Sequence, residues 1–362
     1  MKTKKILLIV LAVSFSVLSF SRTEEKKEVT KEYDKTAQVN KQTTLEIHNK
    51  YGKIDVKNWE KNEVQIHVTV KVTGNKIKDA QSYFDRTHIV FKDSVGLVYA
   101  KTTIDKEKSF FNWFEQIEKG SFEVNYEIFA PVYIKLNLHN KYGDIFLNEV
   151  HGYTQIFLKY GSLNANNLFF PAEKPLSTIN IKYGNATIDN GRKLVLNTKY
   201  SNIEIQKVTA LIAISKYCNY KIRTVSFAVC DSKYDNYKIA NIKSLKFTGA
   251  YETLKIDTLS FGLNLDMDYG SATVLHLLST TKSVAVESDY TNIKLNVSRK
   301  MSFTLDGNFD YTDFSSPYGF STFWTKIDDQ QTKTKGFCGQ KDAESHFSFD
   351  CDYGDVKIKN FD

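Results

Sequence analysis

The side chains that could carry out catalysis or bind a metal are scattered along the chain. They show no HExxH pattern, no paired spacing of metal ligands, and no nucleophile-elbow, phosphate-binding-loop or dinucleotide-binding motif. The seven histidines are His48, His67, His88, His139, His151, His276 and His346. We therefore expect no enzymatic activity, no metal and no cofactor. One alternative stays open: a polysaccharide-degrading enzyme, because acids and bases can gather on one face of a β-helix.

Four cysteines could form two disulfides if the chain is exported to an oxidising compartment. Cys230 and Cys351 fall on inward positions of the repeat described below, where buried free thiols are common, and Cys218 falls at a turn. The bridge that the sequence favours is Cys338–Cys351.

The strongest pattern is a short phrase of tyrosine, a small residue, a polar residue and then alternating apolar positions. Its tyrosines are Tyr51, Tyr142, Tyr160, Tyr183, Tyr200, Tyr217, Tyr234, Tyr251, Tyr269, Tyr290, Tyr311 and Tyr353. From Tyr142 they are spaced 18, 23, 17, 17, 17, 17, 18, 21, 21 and 42 residues apart, the last being twice 21. Apolar residues occur three, five and usually eight positions after each tyrosine, and six and four positions before it. This alternation predicts strands with one buried face.

A unit of 17 residues is too short to bury its own apolar side chains, so the units must stack. We therefore predict an all-β fold, a parallel β-solenoid, with a right-handed coil because parallel crossovers are overwhelmingly right-handed. Glycine follows six of the tyrosines, as a corner with unusual dihedrals would favour. The tyrosines share the parity of the buried positions, which predicts that their rings stack on one another at one corner.

Two columns of the repeat carry polar or charged side chains. Asparagine recurs two residues after the tyrosine, which predicts a ladder of stacked amides. Both this ladder and the tyrosine ladder are either structural or a sugar-binding strip. The residue before the tyrosine is lysine in the first seven units and aspartate in the last four, at Asp268, Asp289, Asp310 and Asp352. These are solvated charges or a docking strip for an anionic glycan or surface polymer. The residues of that candidate strip are Lys159, Lys182, Lys199, Lys216 and Lys233.

Four apolar residues occupy outward columns of neighbouring units. They are Val195, Ile212, Ile214 and Val229. Such an exposed apolar patch is either covered by another segment or is an interface, so self-association through it is a hypothesis.

The first residues indicate export. A basic start and an apolar stretch from Ile6 to Phe20 predict a signal peptide over 1–21, and this run is too short for a spanning helix. No later segment is long and apolar enough to span a membrane. Without residues 1–21 the chain has 46 basic and 42 acidic residues, too weak a balance to indicate nucleic-acid binding. We expect a location in the periplasm, outside the cell or at the cell surface.

Domain boundaries follow from the repeat. Residues 22–40, rich in lysine and glutamate, predict a solvated tether, and residues 131–362 predict solenoid repeats with a C-terminal cap. Residues 41–130 predict the first repeat plus an insertion that caps the open end. The insertion should hold a strand with Val64 to Val72, a helix within 75–87, a hairpin over 89–104 and a strand over 122–128. Its aromatic loop at Phe110, Phe111, Trp113 and Phe114 is either core or edge cover, or a binding site.

The KYG-x-I-x-I phrases, the signal peptide and the valine-rich inserted strand resemble the putative-adhesin class of exported bacterial proteins, over roughly residues 40–362. That resemblance implies strand repeats with tyrosine–glycine turns and a role in surface binding, without naming a ligand or binding residues. The expected function is a non-enzymatic binding scaffold for a surface polymer, glycan or protein. The alternatives are the enzyme named above and a structural component of the cell envelope.

Overall fold

The computed structural model describes residues 27–74, 80–105 and 121–361. Their regular structure is strand apart from one short helix, α1 (Ala80–Asp85). The predicted signal peptide and the aromatic loop around Trp113 lie outside the described residues. The strands up to the second corner tyrosine are β1 (Lys27–Gln38), β2 (Thr44–Lys50), β3 (Ile54–Asn58), β4 (Glu63–Gly74), β5 (Thr87–Ser94), β6 (Leu97–Ile104), β7 (Ser121–Ala130) and β8 (Lys135–Lys141).

The remaining strands form the repeats and the C-terminal end. They are β9 (Ile145–Val150), β10 (Thr154–Lys159), β11 (Ser162–Leu168), β12 (Thr178–Lys182), β13 (Asn185–Lys199), β14 (Asn202–Lys216), β15 (Asn219–Lys233), β16 (Asn236–Ala250), β17 (Thr253–Leu277), β18 (Ser283–Ser298), β19 (Phe303–Ser315), β20 (Phe320–Asp328), β21 (Gln331–Cys338) and β22 (His346–Phe361).

Each coil has two arms that meet at a tyrosine. Arm I follows the corner tyrosine, a bend follows arm I, and arm II leads to the next corner tyrosine. In β14, Ile203 and Ile205 of arm I and Leu211 and Ala213 of arm II are buried. The bend lies between them, where the pairing with the preceding coil leaves out Gln206 and Thr209. The apolar alternation read from the sequence thus forms the interior of the stack.

Neighbouring coils pair in parallel and in register, which confirms that part of the prediction. Asn202 pairs with Asn219, and Asn219 with Asn236, one coil at a time. This parallel pairing continues without a break from β13 to β18. The handedness of the coil remains a prediction.

Strands of the inserted segment, together with β1, extend both ladders beyond the Tyr51 coil. On arm I, β7 pairs with β3, β4 with β7, and β1 with β4; on arm II, β6 pairs with β2 and β5 with β6. The predicted strands, helix and hairpin are therefore present, and a capping role remains a prediction. The predicted tether over 22–40 is wrong for Lys27–Gln38, which form an edge strand. Most side chains of this strand are exposed, so its sequence shows only a weak apolar alternation. Backbone pairing holds the strand in place.

The last strand of the chain does not occupy the last coil of the stack. β22 pairs in parallel with β18 on one side and with β19 on the other. The coil of Tyr353 therefore lies between those of Tyr290 and Tyr311. The hairpin of β20 and β21 then pairs antiparallel with the outer side of β19. Chain order and stacking order differ at this end.

The left-handed backbone conformation lies on the tyrosine and not on the glycine that follows it. All twelve corner tyrosines have φ between 45° and 64°, whereas none of the glycines that follow them has a positive φ. The predicted role of those glycines is wrong, and the reason for glycine is close approach between coils. A Cβ on Gly161 would lie 2.1 Å from the carbonyl oxygen of Gly143. The corner also turns the ring outward, so the expected inward parity of the tyrosines is wrong as well.

Candidate functional site

The corner tyrosines form one continuous ridge along the stack. Neighbouring ring centroids are 4.7 to 5.2 Å apart, and nearly all rings are stacked within 14° of parallel. The predicted ring stack is confirmed. Each ring covers the face of its neighbour, so the ridge presents ring edges and hydroxyl groups to solvent. This arrangement favours the structural role of the ladder, because a sugar stacks on an open ring face.

An amide ladder runs beside the ridge on the arm I side. Asn202 Nδ2 donates to Asn185 Oδ1 at 3.1 Å, Asn219 Nδ2 to Asn202 Oδ1 at 2.9 Å, and Asn236 Nδ2 to Asn219 Oδ1 at 3.1 Å. The predicted ladder is therefore confirmed over four coils. These side chains are exposed. Each amide keeps a second N–H and further lone pairs free for a ligand.

Next to the amides, the outer face of arm I forms an elongated depression that we call the amide–lysine groove. It consists of two adjoining clefts of about 540 and 510 Å³. Its lining side chains include Asn202, Asn219, Asn236, Glu204, Lys221, Arg223, Lys238, Lys255 and Asp257. Sequence reasoning missed this groove, although the lysines recur four residues after three successive tyrosines.

The groove carries more positive than negative charge. Four basic side chains face it, against two carboxylates, and one of these carboxylates is already neutralised: Lys221 Nζ lies 3.0 Å from Glu204 Oε1. Lys238 and Lys255 have no ion pair among the described residues. A ligand lying along the stack would therefore meet an amide and an ammonium group in the coils of Tyr217 and Tyr234, an amide in the two coils before them and an ammonium group in the coil after them. Amides bind hydroxyls, and ammonium groups bind carboxylates or sulfates.

The predicted lysine strip is a single column on the arm II side of the ridge. Lys182, Lys199, Lys216 and Lys233 pair successively from coil to coil. Several of the ammonium groups lie over tyrosine rings, with Lys159 Nζ 4.7 Å from the Tyr160 centroid. Whether the strip binds a polymer remains a prediction.

The same column becomes acidic further along the stack and forms an aspartate strip. Asp268 pairs with Asp289, Asp289 with Asp352, and Asp352 with Asp310. Burial and then repulsion from Asp289 raise the pKa of Asp268, and the same causes, with Asp310 added, raise the pKa of Asp352. Neither strip forms a salt bridge within the described part of the chain. The column is thus basic at one end and acidic at the other.

The predicted apolar patch lies on the outer face of arm II. Ile214 and Val229 are 51% and 48% exposed, while Val195 and Ile212 are half-buried. Phe227, which the sequence pattern did not point to, is 53% exposed in the adjoining column. No described segment covers these side chains.

The interior of the corners holds an unexpected acidic pair where the repeat lacks glycine. Asp235 and Glu252 follow successive corner tyrosines and are 1% and 2% exposed. Asp235 accepts hydrogen bonds from the Cys218 amide and from the Ser232 hydroxyl, and Glu252 Oε2 accepts one from the Asp235 amide. Burial and then the charge of Asp235 raise the pKa of Glu252 to about 8. The sequence signal was the replacement of glycine at these positions.

The predicted Cys338–Cys351 disulfide is wrong. Both residues are free, buried thiols, as are Cys218 and Cys230. Cys338 pairs with Phe303 on one side of β19, and Cys351 pairs with Phe309 on the other. Six residues along a strand separate them by roughly 20 Å, beyond the reach of a disulfide.

Two of the histidines lie next to each other in the arm II ladder. The rings of His48 and His139 are stacked with centroids 4.2 Å apart, and His48 Nε2 lies 2.7 Å from Glu46 Oε1. Burial, followed by the charge of His48, lowers the pKa of His139. Over the described ranges, no three or more histidine, cysteine, aspartate or glutamate side chains form a potential metal site. In the same ranges, no helix has the length and apolar character needed to cross a bilayer.

Comparisons with known proteins give little further information. No protein-family model matches the chain, and no curated protein matches it. One similar solved structure is described as a putative cell adhesion protein from Clostridium sporogenes, with 11% identity and a TM-score of 0.21, covering 92% of this chain and 100% of the other. Another is a putative adhesin from Parabacteroides distasonis, with 10% identity and a TM-score of 0.27, covering 91% and 97% of the two chains. Likeness at this level carries no argument about function.

Proposed function

We propose that the protein is a non-enzymatic, exported, adhesin-like binding scaffold whose ligand is an anionic surface polysaccharide. The amide–lysine groove is the observation that supports this proposal. It offers hydrogen-bonding amides and unpaired ammonium groups in parallel rows on a scaffold of paired strands. A linear polymer with hydroxyl and carboxylate or sulfate groups matches both rows at once.

The groove suits binding more than bond cleavage. Its two carboxylates, Glu204 and Asp257, lie three coils apart, roughly 14 Å at the strand spacing, beyond the roughly 5–10 Å that separates the two carboxyl groups of a glycosidase. Its other polar lining is mostly lysine, arginine and asparagine. The acidic pair with a raised pKa, Asp235 and Glu252, is buried in the corner interior, away from this surface. A repetitive surface also gives avidity, because neighbouring segments of one polymer can occupy successive coils.

The proposal is tested by affinity electrophoresis of the chain from Arg22 onward in gels containing an anionic polysaccharide, such as alginate or a sulfated glycan, or a neutral one such as dextran. We expect retardation only by the anionic polymers. The double variant Lys221→Glu/Lys238→Glu should lose at least tenfold in affinity, since each reversal removes an ammonium group and adds repulsion.

A matched control is available in the same column of the repeat. Lys294 and Lys357 also lie four residues after their tyrosines and pair in adjacent coils, but they lie outside the groove. Lys294→Glu/Lys357→Glu should retain binding. Equal loss in both variants would show non-specific charge attraction, and turnover of any polymer in the panel would favour the enzymatic alternative. The strip variant Lys199→Glu/Lys216→Glu/Lys233→Glu tests the strip predicted from the sequence.

A further inference from the structure

The arm II ladder has its midpoint at the apolar patch. Its strand order, read from the pairings, is β5, β6, β2, β8, β10, β12, β13, β14, β15, β16, β17, β18, β22, β19, β21 and β20. The centre of this order falls between β14 and β15. Ile212 and Ile214 lie on β14, and Phe227 and Val229 lie on β15.

Charge on this face is arranged with opposite signs on the two sides of the patch. The lysine strip continues from the patch toward the N-terminal end of the stack, and the aspartate strip occupies the C-terminal end. Ala250 is the single uncharged residue of the column and lies between them. Because neither strip has an ion-pair partner within the described chain, both remain available to a partner molecule.

From these two observations we propose that the outer face of arm II binds a second copy of this chain, with the two stacks antiparallel about a two-fold axis at the patch. An isologous interface needs a self-complementary surface, and this axis provides it. Ile212 of one copy then faces Val229 of the other.

The same axis brings opposite charges together over most of the length of the stack. Lys182 faces Asp268, Lys159 faces Asp289, Lys141 faces Asp352 and Lys50 faces Asp310, and each pair occurs twice. Lys216 and Lys233 meet as like charges near the axis, but these two lysine–lysine contacts are outnumbered by the eight lysine–aspartate contacts. A two-fold axis along the stack would instead reverse the strand direction and place the lysine column of one copy over the bend end of arm II of the other, so only the antiparallel arrangement brings the two strips together.

The area of the face is sufficient for a stable dimer. Twelve coils at the strand spacing extend about 58 Å, and an arm of seven residues is about 23 Å wide. Full overlap would bury roughly 1,300 Å² on each copy, above the ~800 Å² of a standard interface. Apart from Asp231, which is exposed on β15 and faces Ile214 of the other copy, the centre of the face is apolar and its surround is charged, as is usual for protein interfaces. The amide–lysine groove lies on arm I and stays open.

The test measures mass by sedimentation equilibrium for the chain from Arg22 onward and for two charge-reversed variants. The first is Lys159→Asp/Lys182→Asp and the second is Asp268→Lys/Asp289→Lys. The parent chain should be a dimer that weakens as salt is raised. Each variant alone should dimerise at least tenfold more weakly, because four ion pairs become like-charge pairs.

An equimolar mixture of the two variants should recover the dimer, since every reversed lysine then faces a reversed aspartate. This recovery also shows that both variants fold. Ile212→Lys should abolish the dimer, and Lys294→Glu/Lys357→Glu on arm I should leave it unchanged. A monomeric parent, dimerisation unaffected by either reversal, or a mixture that stays monomeric would overturn the proposal. Loss of polymer binding in the lysine variant of a monomeric parent would instead assign the strip to the polymer.

Discussion

At the scale of single residues, every corner places a tyrosine in a conformation that L-residues avoid. The left-handed region costs an ordinary residue about 1–2 kcal/mol, and the stack contains twelve such residues. Ring stacking provides the offset, since aromatic pairs contribute about 0.5–1.5 kcal/mol beyond the area they bury. Each tyrosine of the ridge is therefore held in its strained backbone conformation by stacking against the neighbouring rings.

This balance predicts different effects for two substitutions of Tyr217. Tyr217→Ala should lower the free energy of unfolding by about 2 kcal/mol, because two ring contacts at 4.9 Å are lost while the strained backbone stays. Tyr217→Gly loses the same contacts but relieves the strain, so it should be about 1 kcal/mol more stable than the alanine variant. Urea unfolding measures both. Tyr33, in strand β1, is the control site, where the alanine variant should be more stable than the glycine variant. If alanine and glycine ranked in the same order at Tyr33 and Tyr217, this account would be contradicted.

The buried acidic pair predicts a pH-dependent stability. The pKa of Glu252 is about 8 in the folded state and near 4.5 in the unfolded chain. The folded state keeps a proton that the unfolded state releases, so stability is full below pH 4.5 and falls as the pH rises toward 8. Glu252→Gln should remove this loss and stabilise the protein at pH 8 by on the order of 3 kcal/mol.

Thermal unfolding at pH 5 and pH 8 measures the effect of Glu252→Gln. Asp257→Asn, an exposed change in the same coil, serves as the control and should leave the pH dependence as it is. If the Glu252 variant kept the slope of the parent, the carboxyl would not be the titrating group.

At the scale of elements, the corner glycines decide how closely successive coils can approach. Gly143, Gly161 and Gly184 each lie against the backbone of the preceding coil, and a Cβ added at any of them would lie about 2 Å from a carbonyl oxygen. No side-chain movement can relieve a contact with backbone. Where the repeat has Ser201, Cys218, Asp235 or Glu252 instead, the side chain is buried in the corner interior.

Gly161→Ala should therefore be strongly destabilising, by roughly 2–4 kcal/mol, because the coil must move away from its neighbour. Gly262→Ala is the matched control. The nearest atom to its added Cβ is a serine hydroxyl at 3.4 Å, so it should change the unfolding midpoint little. Equal effects in denaturant melts would show that conformational freedom, and not close approach, selects glycine at the corner.

The strands could be predicted from the sequence because alternation with a period of two is a local signal. The corner conformation could not be predicted, because the Tyr-Gly pair suggests that glycine is the left-handed residue. The steric clash that requires glycine at this position is visible only when whole coils are stacked on one another. The amide–lysine groove was missed for a similar reason. Its depth comes from the bend between the arms, which has no sequence motif. The Cys338–Cys351 prediction failed because spacing along the chain does not give distance across strands.

At the scale of the whole molecule, the position of β22 is the feature that periodicity does not show. A spacing of 42 residues between Tyr311 and Tyr353 fits two successive coils, and it fits equally a return of the chain into an earlier gap. The ring contacts of Tyr353 with both Tyr290 and Tyr311, at 4.8 and 5.0 Å, show the second arrangement. The C-terminal strand thus joins β18 to β19.

This order predicts unequal effects of two deletions. Removal of residues 344–362 takes away β22, leaves β18 and β19 as separate unpaired edges, and should cause aggregation. Replacement of residues 318–340 by a short glycine–serine linker removes the β20–β21 hairpin but keeps the stack closed through β22. That variant should stay soluble with only a modest loss of thermal stability. Light scattering and thermal melts compare them; greater aggregation of the hairpin deletion would contradict the assigned order.

The inserted rung also separates the order of synthesis from the order of assembly. A chain that leaves the ribosome or crosses a membrane from its N-terminus can add one rung after another from Tyr142 to Tyr290. The strand of Tyr311 can then pair only with the hairpin that follows it, and it joins the stack about forty residues later, when β22 arrives between β18 and β19. The C-terminal end of the stack is therefore completed in a single late step. A chain that stops just short of β22 contains every earlier strand, but β18 and β19 are not yet joined.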